Sequence, residues 1–187
     1  LTGRETQAWR GAGETRWCIS AFSLDERWCL AVGWGGGALL RDLTSGRETQ
    51  PELTIKQATD ASFSPDGTQF SISSALGYIG LWETATMREV ATLRGFLQSV
   101  ESVAWSPNGK RLAAGSDGTE ALKVFDSQTH EELLTLEGDG SLFWGSAFSP
   151  DGNVLGSQSS EGVLHLWRAP SWEEIAAEEK RAERKTQ

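Results

Sequence analysis

A five-residue segment recurs four times along the chain at nearly constant spacing, and this repeat constrains the fold more than any other feature. Three copies consist of an aromatic residue, Ser, Pro, Asp or Asn, and Gly; they occupy residues 63–67, 105–109 and 148–152. A degenerate copy, Phe-Ser-Leu-Asp-Glu, occupies residues 22–26. The aromatic positions are 41, 42 and 43 residues apart, and a period of roughly 20–50 residues indicates a repeat architecture.

Each unit of the repeat reads as four short strands. In the third unit, apolar residues alternate over residues 99–105, which predicts a first strand. The Ser-Pro-Asn-Gly segment that follows favours a tight turn, because Pro presets one backbone angle and Gly accepts the left-handed conformation. Further strands are predicted at residues 111–115, 121–125 and 132–136. A second repeated segment, four residues that end in a charged residue, recurs at residues 39–42, 80–83, 123–126 and 165–168.

An antiparallel sheet of this kind has two apolar faces and cannot bury them alone. Stacking similar units around an axis buries these faces and gives a β-propeller. The predicted fold class is therefore all-β: a propeller of four blades, each a four-stranded antiparallel sheet, with a short C-terminal helix. The units are expected to start near residues 17, 57, 99 and 142, within a propeller segment that covers residues 1–170. Residues 171–187 are expected to form a helical tail, since Ser171 and Glu174 make a capping box; the alternative is an outer strand of the last blade.

The chain resembles the WD-repeat β-propeller family, with bacterial-type repeats over about residues 17–168. The resemblance rests on the Ser-Pro-Asp/Asn-Gly turns and on the pairs Trp82-Glu83, Phe125-Asp126 and Trp167-Arg168, which stand where the family has Trp-Asp. It implies a non-enzymatic protein–protein interaction scaffold. The family's propellers usually have seven blades, so the four units here are expected to be part of a longer multidomain protein.

The chain departs from the family pattern before the first strand of each unit. The family usually has Gly-His there, whereas this chain has Gly11-Ala12, Gly95-Phe96 and Gly138-Asp139. Without these histidines the family's buried hydrogen-bond network cannot form, so the blades are expected to be held by packing and backbone ladders alone. The first unit has Glu26 where the others have Gly, and a left-handed Glu costs roughly 1 kcal/mol. We therefore expect the first blade to be the least regular.

The N-terminal residues repeat a later segment. Residues 3–7 and residues 46–50 both read Gly-Arg-Glu-Thr-Gln, one repeat length apart. Residues 3–10 are therefore expected to form an outer strand, and the resemblance to the family implies that this strand closes the ring by completing the last blade. Three closures remain open: an open arc, a four-bladed monomer, and a homodimer in which two arcs make an eight-bladed ring. The dimer is favoured. The ring-closure residues are Gly3, Arg4, Glu5, Thr6 and Gln7.

Catalytic groups are scarce in this sequence. Its two histidines, His130 and His165, form neither a triad arrangement nor a metal-ligand spacing. The expectation is that the protein is not an enzyme and has no cofactor and no metal. The alternative is a catalytic or ligand-binding propeller, hydrolase-like, with a site in the axial channel. A ligand pocket at the axis would favour that alternative, and a channel lined with Ser, Ala and Val would not.

Aromatic and apolar residues near the loops are the candidate partner-binding residues. Loops that precede the first strands open onto one end of a propeller, and clustered exposed aromatic residues mark recognition surfaces. In the alternative interpretation, these residues fill space between blades. The candidates are Trp9, Trp17, Tyr78, Phe96, Leu97, Phe143 and Trp144.

The net charge narrows the choice of partners. It is −9, from 17 basic and 26 acidic residues, which argues against nucleic acid and against an anionic membrane surface. A protein partner is therefore expected: a second copy of the chain, the missing blades of a longer chain, or another protein. The cysteines, Cys18 and Cys29, are not preceded by a secretion signal, so free thiols and a cytoplasmic location are expected.

Overall fold

A computed structural model describes residue 8 and residues 17–50, 53–138 and 140–169. The described residues form four antiparallel sheets and no helix, which confirms the all-β prediction. Each strand pairs with the next one along the chain, so every sheet is a meander. The first sheet contains β1 (Trp17–Phe22), β2 (Trp28–Gly33), β3 (Ala38–Asp42) and β4 (Glu48–Thr49). The second contains β5 (Ala58–Phe63), β6 (Gln69–Ser74), β7 (Tyr78–Glu83) and β8 (Glu89–Leu93).

The third and fourth sheets differ in their number of strands. The third contains β9 (Val100–Trp105), β10 (Arg111–Ser116), β11 (Glu120–Asp126) and β12 (Glu132–Glu137). The fourth contains β13 (Phe143–Phe148), β14 (Val154–Ser159) and β15 (Leu164–Arg168). Within the described residues this sheet has three strands, and the segment expected to supply its fourth strand is not among them. The predicted outer strand at residues 3–10 (except Ala8) and the predicted helical tail lie outside the described residues.

The same polar turn joins the first and second strands of each sheet. In the second sheet, the Ser64 hydroxyl donates a hydrogen bond to Asp66 at 2.6 Å and accepts one from the Gln69 N–H at 3.0 Å. Asp66 in turn accepts a bond from the Thr68 N–H at 3.0 Å. These bonds, the one from Ser64 first, lower the pKa of Asp66. Equivalent bonds form around Ser23, Ser106 and Ser149.

The degenerate first turn keeps the backbone conformation of the others. Gly67, Gly109 and Gly152 have φ angles of 68°, 70° and 74°, and Glu26 occupies the matching position with a φ of 58°. The positive φ confirms the prediction that Glu26 sits in a left-handed turn. A residue with a side chain is disfavoured in this conformation. The hydrogen bonds of Ser23 and Asp25 maintain the turn despite this cost.

The core lies between the sheets, in three apolar layers. Leu30 and Val32 of the first sheet pack with Phe70 and Ile72 of the second. The second and third sheets share a layer that contains Ile79, Leu81, Val103 and Leu112. The third and fourth share Ala113, Leu122, Phe143 and Leu155. The face of the fourth sheet that points away from the third is open: Leu164 and Leu166 are 66% and 65% exposed.

Side-chain hydrogen bonds also connect neighbouring sheets, so the expectation of packing and backbone ladders alone is wrong. The indole N–H of Trp105 in the third sheet donates to the Ser71 hydroxyl in the second, at 3.0 Å. The Val103 N–H donates to Asp60 at 2.9 Å across the same interface. Serine, threonine and aspartate thus supply links without histidine. Further inter-sheet bonds join Thr59 to Val100 and Ser102 to Ser146.

We predict that Glu26→Gly stabilises the protein. Relief of the left-handed strain should add roughly 1–2 kcal/mol to the free energy of unfolding. The greater flexibility of Gly in the unfolded chain should subtract about 0.4–1 kcal/mol from it. The free energy of unfolding should therefore rise by about 0.5–1 kcal/mol, measured as a higher urea midpoint at unchanged m value.

The matched control is Glu131→Gly, at an exposed turn residue outside the left-handed region. The free energy of unfolding of this control should fall by about 0.4–1 kcal/mol, because the substitution only increases the conformational entropy of the unfolded chain. An equal decrease in the free energy of unfolding of both variants would contradict the strain assigned to Glu26.

Candidate functional site

The first strands of the four sheets lie next to one another. Strand β1 contacts β5, β5 contacts β9, and β9 contacts β13, so these strands form the inner row of the stack. We define the upper face as the end of the molecule at which these inner strands begin. A cleft of about 450 Å³ opens there, lined by residues from all four inner strands and by Trp34 of the β2–β3 loop. We name it the axial cleft.

A β-bulge occurs near the start of every inner strand. In β1, Trp17 pairs with Gly33 and Ile19 pairs with Val32, which leaves Cys18 as an extra residue. Matching register shifts occur in β5 and β9, and β13 has its shift one residue later, between Trp144 and Ala147. A bulge re-aims the side chains around it. One repeated irregularity therefore builds the axial cleft from all four units. The extra residues that line it are Cys18, Thr59, Glu101 and Gly145.

The ionised groups of the axial cleft are acidic. Asp60 and Glu101 line it, and no Lys or Arg does so among the described residues. The two carboxylate oxygens of Asp60 accept hydrogen bonds from the N–H groups of Ala61 and Val103, at 2.8 and 2.9 Å. Burial raises the pKa of Asp60, and the two N–H donors oppose this effect. Because Val103 belongs to the third sheet, the Asp60 carboxylate is held between two sheets.

Two tryptophans line the axial cleft with their side chains about half exposed. Trp34 is 54% exposed and Trp144 is 48% exposed. Trp144 precedes the bulge in β13, where Gly145 has a φ of 66°. An exposed indole combines apolar area with a hydrogen-bond donor, and such residues are enriched where proteins bind one another. The axial cleft thus combines aromatic surface with carboxylates.

The predicted partner-binding residues divide into exposed and buried ones. Trp144 lines the axial cleft, and Leu97 is 79% exposed in the β8–β9 loop on the upper face. Phe143 is fully buried, so its assignment to an exposed surface is corrected here. Side chains alternate along β13, which directs Phe143 into the layer shared with Leu122, the opposite side from Trp144.

The remaining candidates are partly buried or lie outside the described residues. Phe96 packs against Phe125 with ring centroids 5.7 Å apart. Tyr78 accepts a hydrogen bond from the Lys56 N–H at 3.1 Å, and the Arg94 guanidinium lies over its ring. These contacts agree with the alternative that such residues fill space. Trp17 is partly buried at the start of β1, whereas Trp9 and the ring-closure residues Gly3, Arg4, Glu5, Thr6 and Gln7 lie outside the described residues.

Of the residues that line the axial cleft, sequence reasoning proposed only Trp144 as a binding residue; Cys18, Trp34, Asp60 and Glu101 are among those it did not identify. Glu101 lies in the predicted strand over residues 99–105, and no binding role was predicted for Trp34 or Asp60. A signal was nevertheless present. Cys18, Thr59, Glu101 and Trp144 each lie four residues before the repeated aromatic residue, so an alignment of the four units places them in one row.

The histidines do not line the axial cleft. His130 lies in the β11–β12 turn, and His165 stacks on Trp167 in β15 with ring centroids 5.7 Å apart. Across residues 17–50, 53–138 and 140–169, no group of three His, Cys, Asp or Glu residues is arranged to hold a metal ion. In the same ranges, no helix has the length and apolar character needed to cross a membrane.

Comparison with known proteins agrees with the repeat architecture. The family model described as WD domain, G-beta repeat matches residues 87–119, which run from the β7–β8 turn to the start of β11. The resemblance to the WD-repeat family is thereby confirmed, and the four meander sheets correspond to propeller blades of that family.

Several relatives cover more of the chain than the family match. Autophagy-related protein 16 of Arabidopsis thaliana is 29% identical over 80% of this chain and 30% of its own length. WD repeat-containing protein VIP3 of the same plant is 38% identical over 50% of this chain and 33% of its own length. Anaphase-promoting complex subunit cdc20 of Dictyostelium discoideum is 27% identical over 74% of this chain and 28% of its own length. The chain thus spans about a third of the length of these relatives.

Proposed function

We propose that this chain is a non-enzymatic scaffold that binds a partner protein at its upper face. The observation that carries the proposal is the axial cleft, where half-exposed Trp34 and Trp144 lie beside two carboxylates. Leu97 adds a third large exposed side chain on the same face. Exposed aromatic and aliphatic residues collected on one face are typical of protein-binding surfaces.

The relatives support this class of function. One is named a subunit of the anaphase-promoting complex, another an autophagy-related protein, and a third a WD repeat-containing protein, and none of these names states an enzymatic activity. Their greater length supports the proposal that the chain belongs to a longer multidomain protein. The free thiols of Cys18 and Cys29 support a cytoplasmic location, because disulfides are rare there.

A ligand-binding propeller with its site in the axial channel is the second candidate function. The lining of the axial cleft favours it, because tryptophan, carboxylate and thiol groups stand where a structural channel would have Ser, Ala and Val. The hydrolase-like version of this candidate lacks such support, since neither histidine lines the axial cleft. The two functions are compatible when the ligand is a side chain of a partner protein.

We also propose that the stack of sheets is completed by self-association. Leu164 and Leu166 leave one end of the stack apolar and exposed, and Phe22, which is 63% exposed, lies on the outward face of the first sheet. Two copies could cover these faces in an eight-bladed ring, and the missing blades of a longer chain could cover them equally well. Residues 46–50 contain β4, which pairs with β3. The identical residues 3–7 could therefore add a strand beside β15 of the partner copy.

We predict that Leu97→Ser together with Trp144→Ser abolishes partner binding. Both side chains are exposed on the upper face, so the variant should fold normally but lose apolar contact area. Affinity capture with quantitative mass spectrometry should show at least a tenfold loss, about 1.4 kcal/mol, of the proteins that the unmodified chain enriches. The matched control is Leu133→Ser, at a 53% exposed residue in β12 away from the upper face. Equal enrichment by both variants would overturn the proposal.

We predict a reversible dimer in solution that is weakened by removal of residues 1–10. Sedimentation at increasing protein concentration should show dimers of the full chain, because an exposed apolar sheet face associates readily. The dimer of the truncated chain should dissociate at a higher protein concentration than the dimer of the full chain, since the added strand would be missing. A folded species that stays monomeric at high micromolar concentration would contradict the two-chain ring.

A further inference from the structure

We propose that the axial cleft binds a cationic side chain, and that the partner protein presents this side chain on a basic segment. The inference rests on the proposed function and specifies its ligand. It is carried by three features of the axial cleft: two carboxylates with no Lys or Arg in the described lining, two half-exposed indoles, and bulges near the starts of the inner strands, whose residues from all four sheets line the same cleft.

The charge of the axial cleft matches a basic partner. Asp60 and Glu101 lie on adjacent inner strands, and the described lining contains no Lys or Arg to neutralise them. The whole chain carries a net charge of −9, which attracts basic segments over distances of about a Debye length. A cation in the axial cleft would therefore gain from both the local and the overall field.

The Asp60 carboxylate is already oriented for such a ligand. Its oxygens accept one hydrogen bond each, from Ala61 and Val103, whereas a carboxylate oxygen can accept about two. Each oxygen thus keeps capacity for an incoming N–H donor. Because its burial disfavours the ionised form, a cation close to Asp60 would offset a cost that the isolated protein bears.

The indoles suit the apolar and planar parts of a basic side chain. A guanidinium or ammonium group is attracted to the face of an indole, and the methylene stem gains by covering apolar surface. Trp34 comes from the β2–β3 loop of the first sheet and Trp144 from β13 of the fourth sheet. The two therefore approach the axial cleft from opposite ends of the stack.

The test is nuclear magnetic resonance of the indole N–H groups of the full chain. The probe is the peptide acetyl-Gly-Gly-Arg-Gly-Gly-amide, and the matched peptide contains citrulline, which has nearly the same shape without the charge. The signals of Trp34 and Trp144 are assigned with Trp34→Phe and Trp144→Phe variants. The buried Trp82 and Trp105 are internal references, being 2% and 9% exposed.

We expect the arginine peptide to shift the Trp34 and Trp144 signals in a saturable manner, with a Kd of about 1 mM or tighter. The citrulline peptide should bind at least about threefold more weakly, the scale of a partly exposed charge pair. Glu101→Gln should weaken binding of the arginine peptide similarly. Glu131→Gln, which removes an exposed charge from the distant β11–β12 turn, should leave the affinity unchanged. Asp60→Asn removes one acceptor for a backbone N–H, so Glu101→Gln is the primary variant.

Two results would overturn the inference: equal binding of the arginine and citrulline peptides, or no saturable shift up to about 10 mM peptide, a range beyond useful affinity. Failure of the inference can be told from failure of the proposed function. If Leu97→Ser with Trp144→Ser still loses its partner protein while the arginine peptide does not bind, the upper face binds protein without a cation in the axial cleft.

Discussion

Every sheet in this protein depends on its neighbours to bury its apolar faces. Phe70 on one face of the second sheet packs toward the first sheet, while Leu81 on the other face packs toward the third. Each such side chain contributes roughly 1.5–3 kcal/mol when it is fully buried, and an isolated sheet would lose that contribution. Stacking is therefore the condition for stability, and it also places the first strands of all four sheets side by side.

The polar groups follow from the same stacking. In strands that bury both faces, most hydroxyl and indole groups are shielded from water. Such buried polar groups must therefore form hydrogen bonds within the protein. Ser71, Thr59 and Ser102 meet this requirement by bonding across to the next sheet or to its neighbours. In this way short hydroxyl side chains join the sheets where histidines are missing from the sequence.

The sequence predicted the sheets well and the axial cleft poorly. The Ser-Pro-Asp-Gly turns predict hairpins through known turn chemistry, and the structure has those hairpins at Ser64 and at each equivalent serine. The axial cleft escaped prediction because a one-residue bulge reverses which side chains face the axis, and period-two reasoning cannot locate it. Phe143 was misassigned for the same reason, since its exposure depends on the register of β13. The inter-sheet bond of Trp105 depends on the distance between sheets, which a single sequence does not specify.

The central claim is that neighbouring sheets are joined by polar side-chain bonds as well as by apolar packing, and the Trp105–Ser71 pair is its clearest instance. A double-mutant cycle of Trp105→Phe and Ser71→Ala tests it directly, with unfolding free energies measured in urea. The account predicts a coupling free energy of about 1 kcal/mol, because Ser71→Ala leaves the buried Trp105 indole N–H without its acceptor. In Trp105→Phe the Ser71 hydroxyl keeps its hydrogen bond to the Ser62 carbonyl. Strictly additive single-variant effects, with a coupling near zero, would contradict it.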